Sequence, residues 1–538
     1  MALSLLIASS VILICVIFNK ISGKLGVPVL LAFILLGMTF GSDGIFKIPF
    51  ADFPFAEKIC SIALIFIMFY GGFGTRWSEA KPVAVKSVLL STVGVAATAG
   101  ITGLFCRFAL GMDWLESMLI GSVISSTDAA SVFSILRSKK LGLKENTASL
   151  LEMESGSNDP CSYMLTAIMI SAMNSSVSGL EILYLIFAQF VYGIVIGVVI
   201  ALGARFVLTH FKFSTEGFDA VFVLGVAVLS YALPSVISGN GYLSAYIVGI
   251  ILGNSDIKNK QSMVHFFDGL TGLMQMLIFF LLGLLSFPSS LPQVFPAALA
   301  IALFLTFVAR PAAVFAILTP LKCSIPQQLL VSWSGLRGAA SIVFAIMASV
   351  NVDSLSDDIF HIVFCIVLIS ITCQGTLIPF MSKKLGMIDK NENVLKTFND
   401  YAEELDVQFI KLTITGDEHP WLNKRIRELS IPWDLLFVLI IRNGERIIPN
   451  GKTVLREDDI VVVSAPVYQG SGAVQFAEQK IHTGSRWIGK KISEFSAESD
   501  AFVILIKRGS EVVIPRGPTD IAENDVLVIH VPDSENSI

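Results

Sequence analysis

Long apolar runs separated by short polar breaks fill roughly the first 385 residues of the chain. A helix needs about twenty predominantly apolar residues to cross the hydrocarbon core of a bilayer, and most of these runs approach that length. The pattern predicts a polytopic α-helical membrane protein with about thirteen transmembrane helices. Their approximate positions are 2–19, 26–42, 56–75, 84–110, 115–136, 147–173, 180–209, 217–234, 241–254, 262–286, 293–319, 327–349 and 359–382.

Basic residues are unevenly distributed among the loops between these runs. Lys and Arg favour the cytoplasmic side of a membrane, and here they follow the odd-numbered helices. The loops after the even-numbered helices hold mostly acidic residues. Thirteen helices with the N-terminus outside and the C-terminal tail in the cytoplasm satisfy this alternation. The basic positions are Lys20, Lys24, Arg76, Lys81, Lys86, Arg137, Lys139, Lys140, Lys144, Arg205, Lys212, Lys258, Lys260, Lys322, Lys383 and Lys384.

An odd helix count suggests two six-helix halves around one extra helix, so that equivalent helices run in opposite directions. Helix five is then equivalent to helix twelve. Both are interrupted by small and polar residues, over 125–131 and 334–341. These stretches predict broken helices whose free backbone groups and dipole ends form a site near the midplane. The alternative is two intact helices that pack closely through small residues.

Ionisable side chains interrupt three of the apolar runs near mid-depth: Asp128, the pair Glu154 and Asp159, and Arg337. Each costs a few kcal/mol in a bilayer even on the mildest scale, so such groups are retained when they are paired or line an ion path. The chain is therefore predicted to be an ion transporter. A purely structural polar network is the alternative.

Helix geometry divides the sixth run into two polar faces. Glu154 and Asn158 are four residues apart and share one face, and Ser155 and Asp159 share the neighbouring face. We expect the Asp159 face to meet Thr127 and Asp128 and to offer hard oxygen ligands to a monovalent cation. The Glu154 face is expected to meet Arg337, whose permanent charge needs a carboxylate partner.

Burial also disfavours the charged form of a carboxylate, so a proton and a cation would compete for Asp159. If the site is reached from each side only while Asp159 holds one of the two, exchange is obligatory. With Asn158 beside it instead of a second acid, one proton per monovalent cation is the simplest stoichiometry. The expected process is electroneutral antiport.

Three motifs carry a family resemblance: Glu154-Ser-Gly-Ser-Asn-Asp-Pro160, Thr127-Asp128 and Gly335-Leu-Arg-Gly338. Together they resemble the monovalent cation/proton antiporters of the CPA1 group, above all the bacterial K+/H+ branch related to NhaP-type exchangers and cell-volume-regulation proteins. The resemblance implies a homodimer in the bacterial inner membrane, with one helix bundle moving as an elevator.

The same resemblance assigns roles to individual residues. It implies that Thr127, Asp128, Ser155 and Asp159 surround the ion, and that Asp128 and Asp159 contact the monovalent cation directly. Two positions depart from the family pattern. Ala129 replaces the usual proline after Thr127-Asp128, and Phe69-Tyr-Gly-Gly72 lacks the acid that many relatives have before the two glycines. The supporting polar network would comprise Glu154, Asn158, Arg337 and Arg310.

Composition narrows the functional classes. Hydrophobic residues make up 54% of the chain, charged residues 15%, and the net charge is −5, with no basic stripe for nucleic acid. No nucleophile–base set, metal cluster or cofactor motif appears, so no enzyme activity is predicted.

The expected partners of the protein are K+ or Na+, H+ and membrane lipid. The rival functions are Na+/H+ antiport, a ligand-gated K+ channel and a membrane sensor that does not transport.

The sequence becomes charged and alternating from about residue 389, which predicts a soluble α+β tail after a membrane domain of residues 1–388. The tail contains an internal repeat: the segment from Trp421 aligns without a gap on the segment from Trp487, an offset of 66 residues. This predicts two similar lobes, 389–470 and 471–538.

Both lobes resemble the C-terminal lobe of ligand-sensing domains that regulate K+ channels and antiporters, the RCK-C or TrkA-C type. That resemblance implies dimerisation and binding of a small regulatory ligand, among which cyclic di-adenosine monophosphate is one candidate. A packing and dimerisation module without a ligand is the alternative. No glycine-rich phosphate loop precedes the tail, so NAD or ATP is not expected as a cofactor. The candidate ligand residues are Arg442, Asn443, Ile448 and Pro449.

Overall fold

The computed structural model consists of two units, Met1–Glu403 and Glu404–Ile538, which are described separately. The described residues are 9–17, 29–138, 141–174, 178–211, 217–257, 259–352, 355, 358–389, 407–414, 421–429, 436–442, 445–466, 476–483, 485–499, 502–508, 511–513, 515 and 517–530.

The first unit is built from apolar helices. Within its described part, seven helices are long and apolar enough to cross a bilayer, and shorter or broken apolar helices accompany them. The helices are α1 (9–17), α2 (Val29–Phe40), α3 (Phe53–Gly74), α4 (Lys81–Leu110), α5 (Trp114–Val123), α6 (Ala129–Ser138), α7 (Thr147–Asn174), α8 (Gly179–His210), α9 (Phe218–Val236), α10 (Gly241–Gly253), α11 (Lys260–Leu285), α12 (Leu291–Leu318), α13 (Ile325–Trp333), α14 (Ala339–Asn351) and α15 (Ile359–Lys384).

Two of the predicted spans are broken helices, as the sequence indicates. Residues 125–128 are non-helical between α5 and α6, and residues 335–338 are non-helical between α13 and α14. If each broken pair counts as one span, the described helices overlap all thirteen predicted runs. How many of them cross the bilayer stays a prediction.

The helical unit retains signs of an inverted repeat. The fourth and eleventh spans, which the repeat makes equivalent, each contain one π-helical turn, Leu90–Gly94 in α4 and Leu305–Ala309 in α12. Glycine contacts repeat as well. A Cβ on Gly37 of α2 would lie 2.2 Å from the Phe280 carbonyl oxygen of α11, and a Cβ on Gly72 of α3 would lie 2.2 Å from the Tyr246 carbonyl oxygen of α10. The contact of α2 with α11, the second and tenth spans, therefore resembles the contact of α10 with α3, the ninth and third spans.

A two-stranded antiparallel ribbon marks one end of this unit. Strand β1 (Gly142–Leu143), just before α7, pairs with β2 (Ile388–Asp389), just after α15. Residue 389 therefore lies at the end of the helices where α7 begins. We call this the tail-side end.

The second unit contains two antiparallel four-stranded sheets of the same topology. The first has the order β3 (Val407–Thr413), β6 (Ile460–Pro466), β4 (Leu436–Arg442), β5 (Glu445–Ile447). The second has the order β7 (Phe476–Lys480), β10 (Val526–His530), β8 (Phe502–Arg508), β9 (Glu511–Val513), with the short helix α16 (Ile492–Ser499) beside it. Buried Phe437, Ile440 and Val461 form part of the core of the first lobe, and Val503, Ile506 and Leu527 occupy the equivalent positions in the second.

Candidate ion-binding site

The two broken helices cross at their non-helical segments. The backbone N–H of Asp128 donates to the carbonyl oxygen of Leu336 at 2.8 Å. Arg337, only 1% exposed, donates through Nη1 to the carbonyl oxygens of Ser125 and Ser126 at 2.9 and 2.5 Å. Its charge thus meets the C-terminal end of α5, where the free carbonyl groups give the helix a partial negative charge.

Asp128 occupies the opposite end of the break. Its carboxylate accepts from the Ser131 N–H at 3.2 Å and from the Ser131 hydroxyl at 2.6 Å, so it caps the N-terminus of α6. A Cβ on Gly338 would lie 2.2 Å from Asp128 Oδ2, so the carboxylate also lies against the start of α14. The N-terminal ends of α6 and α14 therefore both lie beside this one carboxylate.

Each residue of the Gly335-Leu-Arg-Gly338 segment has an identifiable contact or close neighbour. A Cβ on Gly335 would lie 3.0 Å from Arg310 Nε, so the first glycine leaves room for that guanidinium. The carbonyl group of Leu336 and the side chain of Arg337 hold the crossing chain. Gly338 leaves room for the carboxylate of Asp128. Three residues of the motif therefore make or permit contacts of the crossing, and Gly335 makes room for Arg310 of α12.

Helix α7 supplies the remaining polar groups. Ser155 Oγ donates to the Thr127 carbonyl oxygen at 2.7 Å, and Asn158 Nδ2 donates to Thr127 Oγ1 at 2.6 Å. Asp159 lies twelve residues beyond Thr147 in a helix of 28 residues and is 7% exposed. Its Oδ1 has no hydrogen-bond partner within the described part of the chain, so this oxygen can accept a proton or a cation.

Glu154 forms its close ion pair with Arg310 and not with Arg337, the arginine that it was expected to meet. Arg310 Nη2 lies 2.6 Å from Glu154 Oε1, and both side chains are at most 2% exposed. Arg337 instead binds the backbone carbonyl groups of the crossing. Asn158, which was expected to face Arg337 with Glu154, contacts Thr127. The two buried arginines thus differ in their close contacts: Arg310 pairs with a carboxylate and Arg337 with a helix end, while the charge of Glu154 also acts on Arg337.

A cavity of about 430 Å³ brings the predicted cation-binding residues together. Thr127, Asp128, Ser155 and Asp159 all line it, and their oxygens suit a hard monovalent cation. From Asp159 the cavity extends toward the tail-side end, because Glu152, seven residues nearer the start of α7, also lines it.

Sequence reasoning missed five polar residues of this cavity: Glu152, Tyr70, Asp268, Thr271 and Gln275. The hydroxyl of Tyr70 lies 3.1 Å from Asp268 Oδ1. Asp268 and Glu152 are ionisable residues within apolar runs, the same signal that singled out Asp128 and Asp159. Tyr70 stands directly before Gly71-Gly72, and its neighbour Asp268 of α11 places a carboxylate near this part of α3.

In the tail, Arg442 is engaged within its own lobe. Its Nε and Nη2 donate to the two carboxylate oxygens of Asp459, both at 2.7 Å, and Arg508 and Asp525 form the equivalent pair 66 residues later at 2.9 and 2.8 Å. The recurrence indicates a structural pair. Ile448 is 84% exposed and Pro449 is half-buried, whereas Asn443 lies outside the described residues. A ligand-binding role for these four residues stays a prediction.

Comparison with known proteins agrees with this geometry. Residues 8–384 match the family model for the transmembrane sodium/hydrogen exchanger, and residues 414–467 and 476–535 match the TrkA-C domain. The K(+)/H(+) antiporter NhaP of Alkalimonas amylolytica is 34% identical over 86% of this chain and 81% of its own. The K(+)/H(+) antiporter NhaP2 of Shewanella sp. (strain MR-4) is 31% identical over 85% and 80%.

The sodium proton antiporter MjNhaP1 of Methanocaldococcus jannaschii has a similar solved structure. The TM-score is 0.64 at 26% identity, and the match covers 72% of this chain and 99% of that one. The two TrkA-C matches also agree with the 66-residue repeat of the tail. The chain therefore belongs to the sodium/hydrogen exchanger family of membrane proteins and carries a repeated TrkA-C domain in its tail.

Proposed function

We propose that this chain is a secondary active antiporter that exchanges cytoplasmic K+ for external H+, one for one and without net charge movement. Similarity to relatives named K(+)/H(+) antiporters over at least four-fifths of both chains supports K+ as the cation. Na+ is the alternative cation, supported by the likeness to a sodium proton antiporter structure.

One observation carries the proposal: the almost fully buried carboxylate of Asp159 has an oxygen without a partner among the described residues, and that carboxylate lines the cavity. Asp128 is already held by Ser131 and two helix ends, and Glu154 is already paired with Arg310. Asp159 is the acid of this group best placed to bind a proton and a cation in turn. Thr127 and Ser155 would complete the cation's oxygen ligands.

Competition at Asp159 then couples the two fluxes. A proton neutralises the carboxylate, and so does a monovalent cation, but one carboxylate cannot be neutralised by both. When a bound ion neutralises Asp159, the protein can change between its two accessible states at a low free-energy cost. An uncompensated carboxylate would make the same change costly in the low dielectric of the membrane. Exchange of one ion for the other follows without any other energy source.

The test is transport by Asp159→Asn in everted membrane vesicles, with K+-dependent proton movement as the readout. Asparagine keeps the shape of the side chain but cannot exchange a proton for a cation, so coupled exchange should be abolished. Asp219→Asn is the matched control, since Asp219 is 9% exposed and lies outside the cavity. Exchange by Asp159→Asn at a rate near that of the unmodified chain would contradict the mechanism.

The same vesicles separate the rival functions. A Na+/H+ antiporter would show proton exchange driven better by Na+ than by K+ at equal concentration. A ligand-gated K+ channel would give K+ flux that follows the K+ gradient alone, with no coupled proton movement. A sensor would bind a tail ligand and transport neither ion.

We further propose a homodimer in the bacterial inner membrane, with its N-terminus outside and its tail in the cytoplasm. The loop charges support this orientation, and α15 leads toward residue 389 at the end where α7 begins. The tail would regulate exchange by binding a small ligand such as cyclic di-adenosine monophosphate near Ile448 and Pro449. No enzyme activity and no other cofactor are proposed.

A further inference from the structure

Asn240, the N-cap residue of α10, joins three helices through hydrogen bonds. It is 2% exposed. Its Nδ2 donates to the carbonyl oxygen of Pro160 in α7 at 2.7 Å, and its backbone N–H donates to the carbonyl oxygen of Gln189 in α8 at 3.2 Å. Its Oδ1 accepts from the Leu243 N–H of α10 at 3.0 Å. Both polar atoms of its side chain are therefore used.

The bond to Pro160 is made at the residue directly after Asp159. Proline has no N–H group, so the carbonyl oxygen of Gly156 lacks the helical donor it would otherwise receive from position 160. The turn that carries Asp159 is thus held less firmly by its own helix. Contacts from α10 support this turn at both ends, Asn240 at Pro160 and the ring of Tyr246 at Gly156, where a Cβ would lie 2.7 Å from the ring.

We infer that Asn240 is a positioning residue that holds Asp159 in the state seen here, in which the cavity extends from Asp159 toward the tail-side end; this inference rests on the proposed antiport. A carrier must present its buried carboxylate to each side in turn, which requires α7 to move relative to some of its neighbours. The bond from Asn240 links the Asp159 turn to α8 and α10 while the cavity lies on the tail side. Movement of α7 past α10 would break it.

The expected effect of losing this bond on the balance between the two states follows from the strength of one hydrogen bond. A net contribution of about 1 kcal/mol corresponds to a change of about fivefold in the ratio of the two states. The apparent affinity for a ligand scales with the population of the state that binds it. Loss of the bond should therefore raise the half-saturating K+ concentration on the tail side and lower it on the opposite side. The ratio of the two concentrations should change about fivefold.

Asn240→Ser tests this with little effect on folding. Serine is also a favourable N-cap residue, so the bond to the Leu243 N–H is retained. Its side chain is too short to reach the Pro160 carbonyl oxygen. Half-saturating K+ concentrations are measured in everted and right-side-out vesicles of the full chain, with proton movement as the readout.

The matched control is Asn254→Ser at the other end of α10. The amide of Asn254 also joins helical segments: it donates to the Thr75 carbonyl oxygen at 2.8 Å and accepts from the Trp77 N–H at 2.8 Å. These contacts do not involve α7. The control should leave the ratio of the two half-saturating concentrations unchanged.

A purely structural role for Asn240 gives a different result. Loosened packing would raise both half-saturating concentrations together or lower only the maximal rate, and either outcome overturns the inference. Failure of both Asn240→Ser and Asn240→Thr to fold, judged by size-exclusion chromatography, would also overturn it. If the unmodified chain exchanges no K+ for protons, the proposed function fails and this inference with it. An unchanged ratio in an active Asn240→Ser variant overturns this inference alone.

Discussion

The guanidinium of Arg310 and the carboxylate of Glu154 form an ion pair at 2.6 Å that is almost completely shielded from solvent. Removing one partner leaves a buried charge without compensation, which typically costs about 3–5 kcal/mol. Glu154→Gln and Arg310→Gln should each lower the thermal unfolding temperature of the purified protein. The double variant should be more stable than the sum of the two single effects predicts. Additive effects would mean that the two charges do not depend on each other.

Gly338→Ala should abolish transport with little change in expression. The added methyl group would lie 2.2 Å from Asp128 Oδ2, so the carboxylate or the crossing must shift. K+-dependent proton exchange in vesicles measures the effect. Gly203→Ala in α8 is the control, because its Cβ would meet no atom within 4 Å, and alanine is favoured over glycine within helices. Normal exchange by Gly338→Ala would show that the site tolerates displacement of Asp128.

An aromatic cluster follows Asp159 along α7, on the side away from the tail-side end. Tyr163, one turn beyond Asp159, has its ring centroid 4.9 Å from that of Tyr242, which in turn lies 4.8 Å from Tyr231. We predict that this cluster closes the route to the opposite side. Tyr242→Leu should introduce cation flux that is not coupled to protons.

Tracer cation efflux from proteoliposomes without a pH gradient measures this leak. Phe105→Leu is the matched control, because Phe105 stacks on Phe304 at 4.0 Å between α4 and α12. The control variant should show no cation efflux that is uncoupled from protons. If Tyr242→Leu also shows none, another part of the molecule forms the barrier.

Acidic pH should weaken both lobes of the tail. Burial opposes ionisation of Asp459, but hydrogen bonds from Arg442 and from the Arg456 N–H outweigh it, so the pKa of Asp459 is lowered below its usual value. The pKa of Asp525 is lowered in the same way by Arg508 and the Ala522 N–H, against the effect of burial. A carboxylate whose pKa is lowered on folding stabilises the folded state. This stabilisation is fully present at pH values above the pKa of the same group in the unfolded chain, about 3.9. That stability is lost as the pH falls through the lowered value.

Hydrogen exchange of strands β6 and β10 in the full-length protein, corrected for intrinsic rates, measures this loss. Asp459→Asn should weaken protection of β6 already at neutral pH, because the neutral amide no longer pairs with the Arg442 charge. Strand β10, in the unmodified second lobe, is the internal control. Equal protection of β6 in the variant and the unmodified chain at neutral pH would show that the pair contributes little.

Much of the site was predictable because its signals are local. Small and polar residues in apolar runs predicted both broken helices, and four-residue spacing placed Ser155 and Asp159 on one face of α7. Thr127, Asp128, Ser155 and Asp159 do line one cavity. Their roles toward the cation remain predictions that the vesicle experiments address.

The partner of Glu154 could not be predicted from spacing, for a physical reason. The π-helical turn Leu305–Ala309 directly precedes Arg310. Such a turn adds one residue, which changes the direction in which the following side chains point by about 100° relative to an uninterrupted α-helix. Regular helical periodicity extended through α12 would therefore point Arg310 in another direction, and only the family resemblance placed it in the polar network with Glu154. Asp268 and Tyr70 illustrate a second limit, because their contact joins two helices almost 200 positions apart in the chain.

The paired π-turns of α4 and α12 also bear on the ancestry of the molecule. A π-turn is an irregularity that most helices lack, and its presence in both the fourth and the eleventh span agrees with duplication of one ancestral segment. The π-turn Ser370–Gly375 of α15 has no counterpart in α7, the span that the repeat makes equivalent to α15. Only the second half has an arginine directly after its turn, whereas Val95 follows the turn of α4. The two halves therefore differ in charge where their backbones share an irregularity, and the buried ion pair of Arg310 with Glu154 has no equivalent at Val95.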